Sequence, residues 1–205
     1  MGSDVLYQRS HPYSSTDFYE TPFALTLDHL SKQYDSFTLA HRTVPLLHDK
    51  AISMAEDSNI AIFCGHGTPH QFFISYASHT VSAPYREGST SKRIGILYNT
   101  DMYSENTAIA DFSGVNIVIF AGCETAGTVS SNYNLAESAY RAGAKVSIGW
   151  TDNTSSELFK WMEYFFESLH NANTVSKAKN DADANMKSES SKTSKIYGDS
   201  SFKFS

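Results

Sequence analysis

Two short runs of β-branched and aromatic residues, Ile60-Ala61-Ile62-Phe63 and Ile117-Val118-Ile119-Phe120, each break off into a turn of small residues. A run of this kind bounded by glycine reads as a strand buried on both faces. Several such runs alternating with helical patterns read as a mostly parallel sheet. The first run ends in Cys64-Gly65-His66-Gly67 and the second in Ala121-Gly122-Cys123-Glu124-Thr125-Ala126-Gly127. Sites in open α/β sheets form outside the carboxyl ends of the strands. One turn therefore presents an imidazole and the other a thiol where the two can meet.

The pairing has a chemical use. A thiol with its ordinary pKa of about 8.5 is only a few per cent thiolate at neutral pH. A neighbouring imidazole takes up the proton and later returns it to a leaving amine. His66 and Cys123 are the candidate catalytic pair. Gly67 lets the backbone approach a substrate carbonyl, and the N–H groups of Gly67 and Cys123 are the candidate oxyanion donors. Cys64, two residues before the histidine, points into the sheet packing and is structural. A disulfide between the two cysteines would remove the nucleophile. Both are read as thiols, which favours a reducing, cytoplasmic compartment.

The remaining chain supplies the layers around such a sheet. Val5-Leu6-Tyr7 reads as a strand within an N-terminal extension or edge element, 1–20. Thr21-Pro22 opens a helix over 22–35. Residues 37–43 read as a short extended piece, and Pro45 starts a helix through Ala55. Phe72 to Tyr76 and Ile94 to Tyr98 pair as a hairpin, followed by a turn over 99–104 and a short helix or irregular piece over 105–112. Asn134 caps a helix that Gly143 stops, with Leu135, Ala136, Ala139 and Tyr140 as its apolar face. Val146 to Trp150 is the next parallel strand. Ser155 caps an aromatic helix whose Leu158, Phe159, Met162, Phe165, Phe166 and Leu169 pack inward. A surface helix over 174–187 and a short element around Ile196-Tyr197-Gly198 complete a C-terminal helix and tail, 171–205. Residues 1–205 are expected to form a single domain, with a three-layer α/β/α arrangement and a mostly parallel central sheet.

These motifs carry a family resemblance. Ile-Ala-Ile-Phe-Cys-Gly-His-Gly, then Ile-Val-Ile-Phe-Ala-Gly-Cys-Glu-Thr-Ala-Gly, then Ala144-Lys145-Val146-Ser147-Ile148-Gly149-Trp150 resemble the caspase-like (clan CD) cysteine peptidases. The Cys-Glu-Thr-Ala turn, the Leu135 to Ala144 helix and the Ile148-Gly149-Trp150 strand are most similar to the CHAT-domain and separase branch. The resemblance covers roughly residues 40–190; the caspase signature Gln-Ala-Cys-x-Gly is absent. It implies a thiol protease of caspase-like fold that uses a His66/Cys123 catalytic dyad to cleave peptide bonds, after Arg or Lys in particular. Asp152, just past the strand that follows the nucleophile, lies where these peptidases build the pocket for a basic side chain, although Trp150-Thr151-Asp152 is a shorter spacing than theirs. The alternative for Asp152 is that, with Asn153 and Thr154, it shapes the turn. Ser147 and Trp150 are expected to line the same cleft, Trp150 being equally at home in a core. Glu124 either orients His66 or makes local N–H bonds.

No cofactor is needed for this chemistry. His70 follows His66 by four residues, but Gly67 and Pro69 argue against the helix that would make them metal ligands, so no metal is expected. The net charge of −6 without a basic cluster excludes nucleic acid as a natural partner. No stretch has the roughly 18 apolar residues of a membrane span. A peptide or protein substrate is the expected partner, with room for a regulatory protein or an upstream domain. The competing readings are a catalytically silent caspase-like scaffold or sensor, and a doubly wound binding protein. The second lacks the Gly-x-Gly-x-x-Gly or phosphate-loop lysine it would need.

Overall fold

Strands that are covered on both sides can be apolar at every position, as Ile60-Ala61-Ile62-Phe63 and Ile117-Val118-Ile119-Phe120 are. The structure, a computed structural model, describes residues 5–9, 38–40, 48–73, 85–86, 93–94, 96–130, 132–155 and 157–203. Its strands in chain order are β1 (Val5–Arg9), β2 (Thr38–Ala40), β3 (Ile60–Cys64), β4 (Gln71–Phe73), β5 (Tyr85–Arg86), β6 (Arg93–Ile94), β7 (Ile96–Tyr98), β8 (Tyr103–Ser104), β9 (Thr107–Ala108), β10 (Ile117–Ala121), β11 (Val146–Trp150) and β12 (Ser194–Gly198). The helices are α1 (His48–Glu56), α2 (Leu135–Arg141), α3 (Leu158–His170) and α4 (Val175–Asn185). Every residue of β3, β10 and β11 is buried.

These three strands form the middle of a sheet ordered β12-β11-β10-β3-β1-β2. All its pairings are parallel except that of β12, which runs antiparallel along β11. Ile117 lies opposite Ile60 and Ala121 opposite Cys64, so β3 and β10 end level with each other. Because side chains alternate across a strand, each run feeds two cores. Ile60, Ile62, Ile119, Ile148 and Trp150 pack against α3 and α4. Ala61, Phe63, Val118 and Phe120 pack against α1 and α2. Phe63 and Phe120 stack with centroids 5.1 Å apart, and Phe72 tilts against Phe120 at 5.8 Å. On the other face Trp161 meets Trp150 edge-on at 5.0 Å and stacks on Phe165 at 4.9 Å. The expected α/β/α layering around a mostly parallel sheet is the observed one.

Local signals held where they rest on a cap or a glycine. The Asn134 side chain accepts the Glu137 N–H at 2.9 Å, and Gly143 ends that helix at φ +111°, a conformation in which a Cβ is unfavourable. Thr174 caps α4 by accepting the Lys177 N–H at 3.2 Å. Ser155 accepts the Glu157 N–H at 3.2 Å, although regular helix begins only at Leu158. Of the expected hairpin of 72–76 with 94–98, β4 pairs antiparallel with β7, while Ile94 pairs with Tyr85 in β5 and β6 and residues 74–76 lie outside the described residues. The expected helix over 22–35 lies outside the described residues.

Two expectations are corrected. Residues 103–108 form a tight hairpin, β8 with β9, rather than a turn followed by a short helix or irregular piece. Its two turn residues, Glu105 and Asn106, take positive φ of 48° and 65°. That is the conformation of a two-residue hairpin turn, made here without the glycine that usually announces it. Tyr140 is 44 % exposed rather than packed. The buried stripe of α2 runs through Leu135, Ser138, Ala139 and Ala142, which leaves Tyr140 at its margin.

A polar seam joins the last elements. The Ser168 hydroxyl donates to Asp181 at 2.7 Å, the Trp161 indole N–H donates to Asp183 at 2.6 Å, and the Ser194 hydroxyl donates to Asp183 at 3.0 Å. Hydrogen bonds from Lys177 and then from Ser168 hold the Asp181 carboxyl below the ordinary carboxylate range. Its folded-state value thus lies below its unfolded one. The stability it adds is complete above about pH 4 and disappears as pH falls through the lower folded value. Urea unfolding followed through that acid range should therefore show a steeper loss for the wild type than for Asp181→Asn. Equal slopes would remove Asp181 from the account.

Candidate functional site

The level ends of β3 and β10 place the two candidate residues at matching positions past adjacent strands. Cys64 pairs with Ala121, and His66 and Cys123 each stand two residues beyond that pair (64 + 2 and 121 + 2). The Gly65 N–H donates to the Ala121 carbonyl at 3.1 Å, which carries the ladder one step into the turns. After that the two turns touch. A Cβ placed on Gly122 would come 2.6 Å from the Gly65 carbonyl oxygen and 3.2 Å from the Gly67 nitrogen. A Cβ on Gly67 would come 2.5 Å from Cγ2 of Thr125 and 3.0 Å from the Cys123 carbonyl oxygen. Only glycine allows this approach, and the approach sets the Gly67 amide beside the residue that precedes Cys123.

A third turn, leaving β11, closes the group. The buried Thr125 hydroxyl donates to the Phe120 carbonyl at 2.8 Å and accepts the Trp150 N–H at 3.1 Å. The Ala126 N–H donates to the Trp150 carbonyl at 2.8 Å, and the Glu124 N–H donates to the Asp152 carbonyl at 3.1 Å. The chain after Cys123 therefore runs alongside the exit of β11, with Glu124 held at φ 55°. Cys123 is half-buried, and its sulfur faces Thr154 of this third turn. The Thr154 N–H donates to Sγ at 3.4 Å, and Oγ1 of Thr154 lies 3.5 Å from Sγ. From behind, residues 188–193 brace the same connection. The N–H and hydroxyl of Thr151 donate to the Thr193 carbonyl at 3.1 and 3.2 Å, and the Ser155 and Ser191 hydroxyls lie 2.9 Å apart.

His66, Glu124 and Asp152 are exposed at this rim. The Asp152 carboxylate accepts the Asn153 N–H at 2.7 Å, and Glu124 takes its place through its main chain. Cys64 is buried and not disulfide-bonded, as is expected of a wall residue; Cys123 is likewise a free thiol. Two residues expected to line the cleft do not reach it. Trp150 is fully buried against Trp161, with its indole N–H donating to the Ser191 carbonyl at 3.1 Å. Ser147 is fully buried within β11, its hydroxyl without a hydrogen-bond partner among the described residues. Both are covered because β11 lies inside the sheet with a helical layer on each face. Thr154 is the residue that reading the sequence missed: within Thr151-Asp152-Asn153-Thr154 it looks like any turn former. Among the described residues no group of three or more His, Cys, Asp or Glu could hold a metal ion, and no helix is long and apolar enough to cross a membrane.

The fold is the caspase-like one: a mixed α/β architecture whose mostly parallel sheet is flanked by helices. No family model matches the chain, and no curated protein matches its sequence. Among solved structures the chain is similar to the Arg-specific cysteine proteinase gingipain R, with a TM-score of 0.70 and 13 % identity over 98 % of this chain and 46 % of that one. It is similar to the complex of Porphyromonas gingivalis RgpB pro- and mature domains, with a TM-score of 0.67 and 14 % identity over 98 % and 48 %. It is also similar to the Saccharomyces cerevisiae separase–securin complex, with a TM-score of 0.57 and 16 % identity over 96 % and 12 %. The chain thus spans less than half the length of each of these neighbours.

The Thr125 hydroxyl makes a direct prediction. Thr125→Val keeps the shape but strands the buried Trp150 N–H and leaves the Phe120 carbonyl with only the Gly122 N–H, and should cost about 1–3 kcal/mol in urea unfolding. Thr125→Ser keeps the hydroxyl and loses one methyl, at about 0.8 kcal/mol. A Val variant as stable as the wild type would mean the hydroxyl is not what joins these turns.

Proposed function

We propose that this chain is a cysteine endopeptidase with a His66/Cys123 dyad. The observation that carries the reading is the in-register placement of the two residues, each two positions past a paired rung of adjacent parallel strands and each accessible at the same rim. In the reaction His66 takes the Cys123 proton and the sulfur attacks the scissile carbonyl carbon. The carbonyl π electrons move onto oxygen, where the N–H groups of Gly67 and Cys123 receive the negative charge. Collapse expels the amine, which leaves with the proton held by His66, and a thioester remains. A water deprotonated by His66 then hydrolyses the thioester and frees the thiol.

The exposed Asp152 carboxylate, whose main chain is bonded to Glu124 next to the nucleophile, suits a basic side chain before the cut. Similarity to a proteinase described as Arg-specific supports that choice. Neighbours solved with a pro-domain and with securin support a regulatory protein as a further partner.

Fluorogenic peptides ending in Arg, Lys or Gln, with an arginyl chloromethyl ketone as label, test the reading. The wild type should turn over the basic peptides and take one label, located at Cys123 by mass spectrometry. Cys123→Ala should show only background turnover, and His66→Ala should lose about 10²–10⁴-fold. Cys64→Ala should keep its activity. Asp152→Asn should lower kcat/KM for Arg over Gln peptides by about tenfold or more. Label at Cys123 with no turnover of any peptide would instead identify a silent module.

A further inference from the structure

Thr154 offers the Cys123 sulfur two donors of different kinds, and they do not act alike. The main-chain N–H at 3.4 Å can only donate, so it favours the sulfur that carries negative charge. The hydroxyl at 3.5 Å can act in either direction. It accepts from the thiol S–H, and by rotating its own proton it donates to the thiolate. The contact therefore survives loss of the thiol proton without movement of heavy atoms. Thr154 is also a fixed platform, since its connection is tied to Glu124 on one side and to residues 188–193 on the other.

We propose that Thr154 is a positioning residue for Cys123, its N–H and hydroxyl holding the sulfur in place at the rim as the thiol proton is given up. The proposal rests on the peptidase reading for its purpose and not for its chemistry. The proton given up goes to His66 or, without an imidazole, to solvent. The titratable groups on the surrounding elements are His66 and His70 after β3, Glu124 beside the sulfur, and Asp152 and Glu157 on the connection to α3. The three carboxylates oppose a thiolate and the imidazolium of His66 favours it, so the contribution of Thr154 is read best with His66 removed.

The experiment measures iodoacetamide alkylation of Cys123, located by mass spectrometry, from acid to alkaline pH in a His66→Ala background. Thr154→Val keeps the branched shape without the hydroxyl. It should slow alkylation on the acid limb by about three- to tenfold and leave the alkaline plateau unchanged. Thr154→Ser should superimpose on the parent. Superimposable Val and parent profiles overturn the proposal, as does an equal shift in Val and Ser, which would assign the effect to packing of the methyl group. If circular dichroism shows that Thr154→Val does not fold, Thr154→Ala is compared with Thr154→Ser by the same criterion. Peptide turnover is assayed separately on the wild type. A shifted alkylation profile without turnover upholds the role of Thr154 and removes the peptidase reading. Turnover with superimposed profiles does the reverse.

Discussion

A buried hydroxyl that donates on one side and accepts on the other leaves the segments it joins little freedom to separate. Thr125 is such a joint: it bonds the end of β10 to the end of β11 while its methyl abuts Gly67 beyond β3. Three turns that belong to three strands are thereby held to one geometry. Both of these Thr125 hydrogen bonds are buried, where an unpaired partner is costly. The stacked Phe63 and Phe120, with Phe72 tilted against them, supply the non-directional part of the same restraint.

The sheet gives this cluster its place. Parallel neighbours with level ends bring equal offsets in sequence to equal heights, so His66 and Cys123 stand at matching positions past the ends of β3 and β10. Antiparallel β12 then occupies the outer side of β11, pairing Ser194 with Trp150. The two cores on opposite faces are filled differently. One is led by tryptophan and phenylalanine from α3, the other by alanines of α1 and α2 that let helix and sheet come close.

Much of this was legible in residues alone, and the limits are physical. The runs at Ile60 and Ile117 declare themselves because burial on both faces favours unbroken apolar sequence. Asn134 and Gly143 declare helix ends because one meets a backbone group that needs a partner and the other supplies a positive φ. The β8–β9 hairpin was hidden because Glu105 and Asn106 take up a turn conformation that glycine normally signals. The burial of Trp150 was not legible either. An indole at a strand end suits a cleft or a core equally, and Trp161 and the Ser191 carbonyl decided between them. Position along the sheet was readable for His66 and Cys123. The sulfur's neighbour was not, because Thr154 comes from a different strand and a separation in sequence that no local pattern encodes.

The brace formed by residues 188–193 has a bearing on how the molecule is made. Those residues, and the edge strand that follows them, are translated long after Cys123, yet they hold the connection that carries Thr154. While the chain is still emerging from the ribosome, the thiol and imidazole already exist but the ledge beside the sulfur has nothing to lean on. The order of synthesis itself thus delays assembly of this cluster of turns until the layers that enclose it have been delivered.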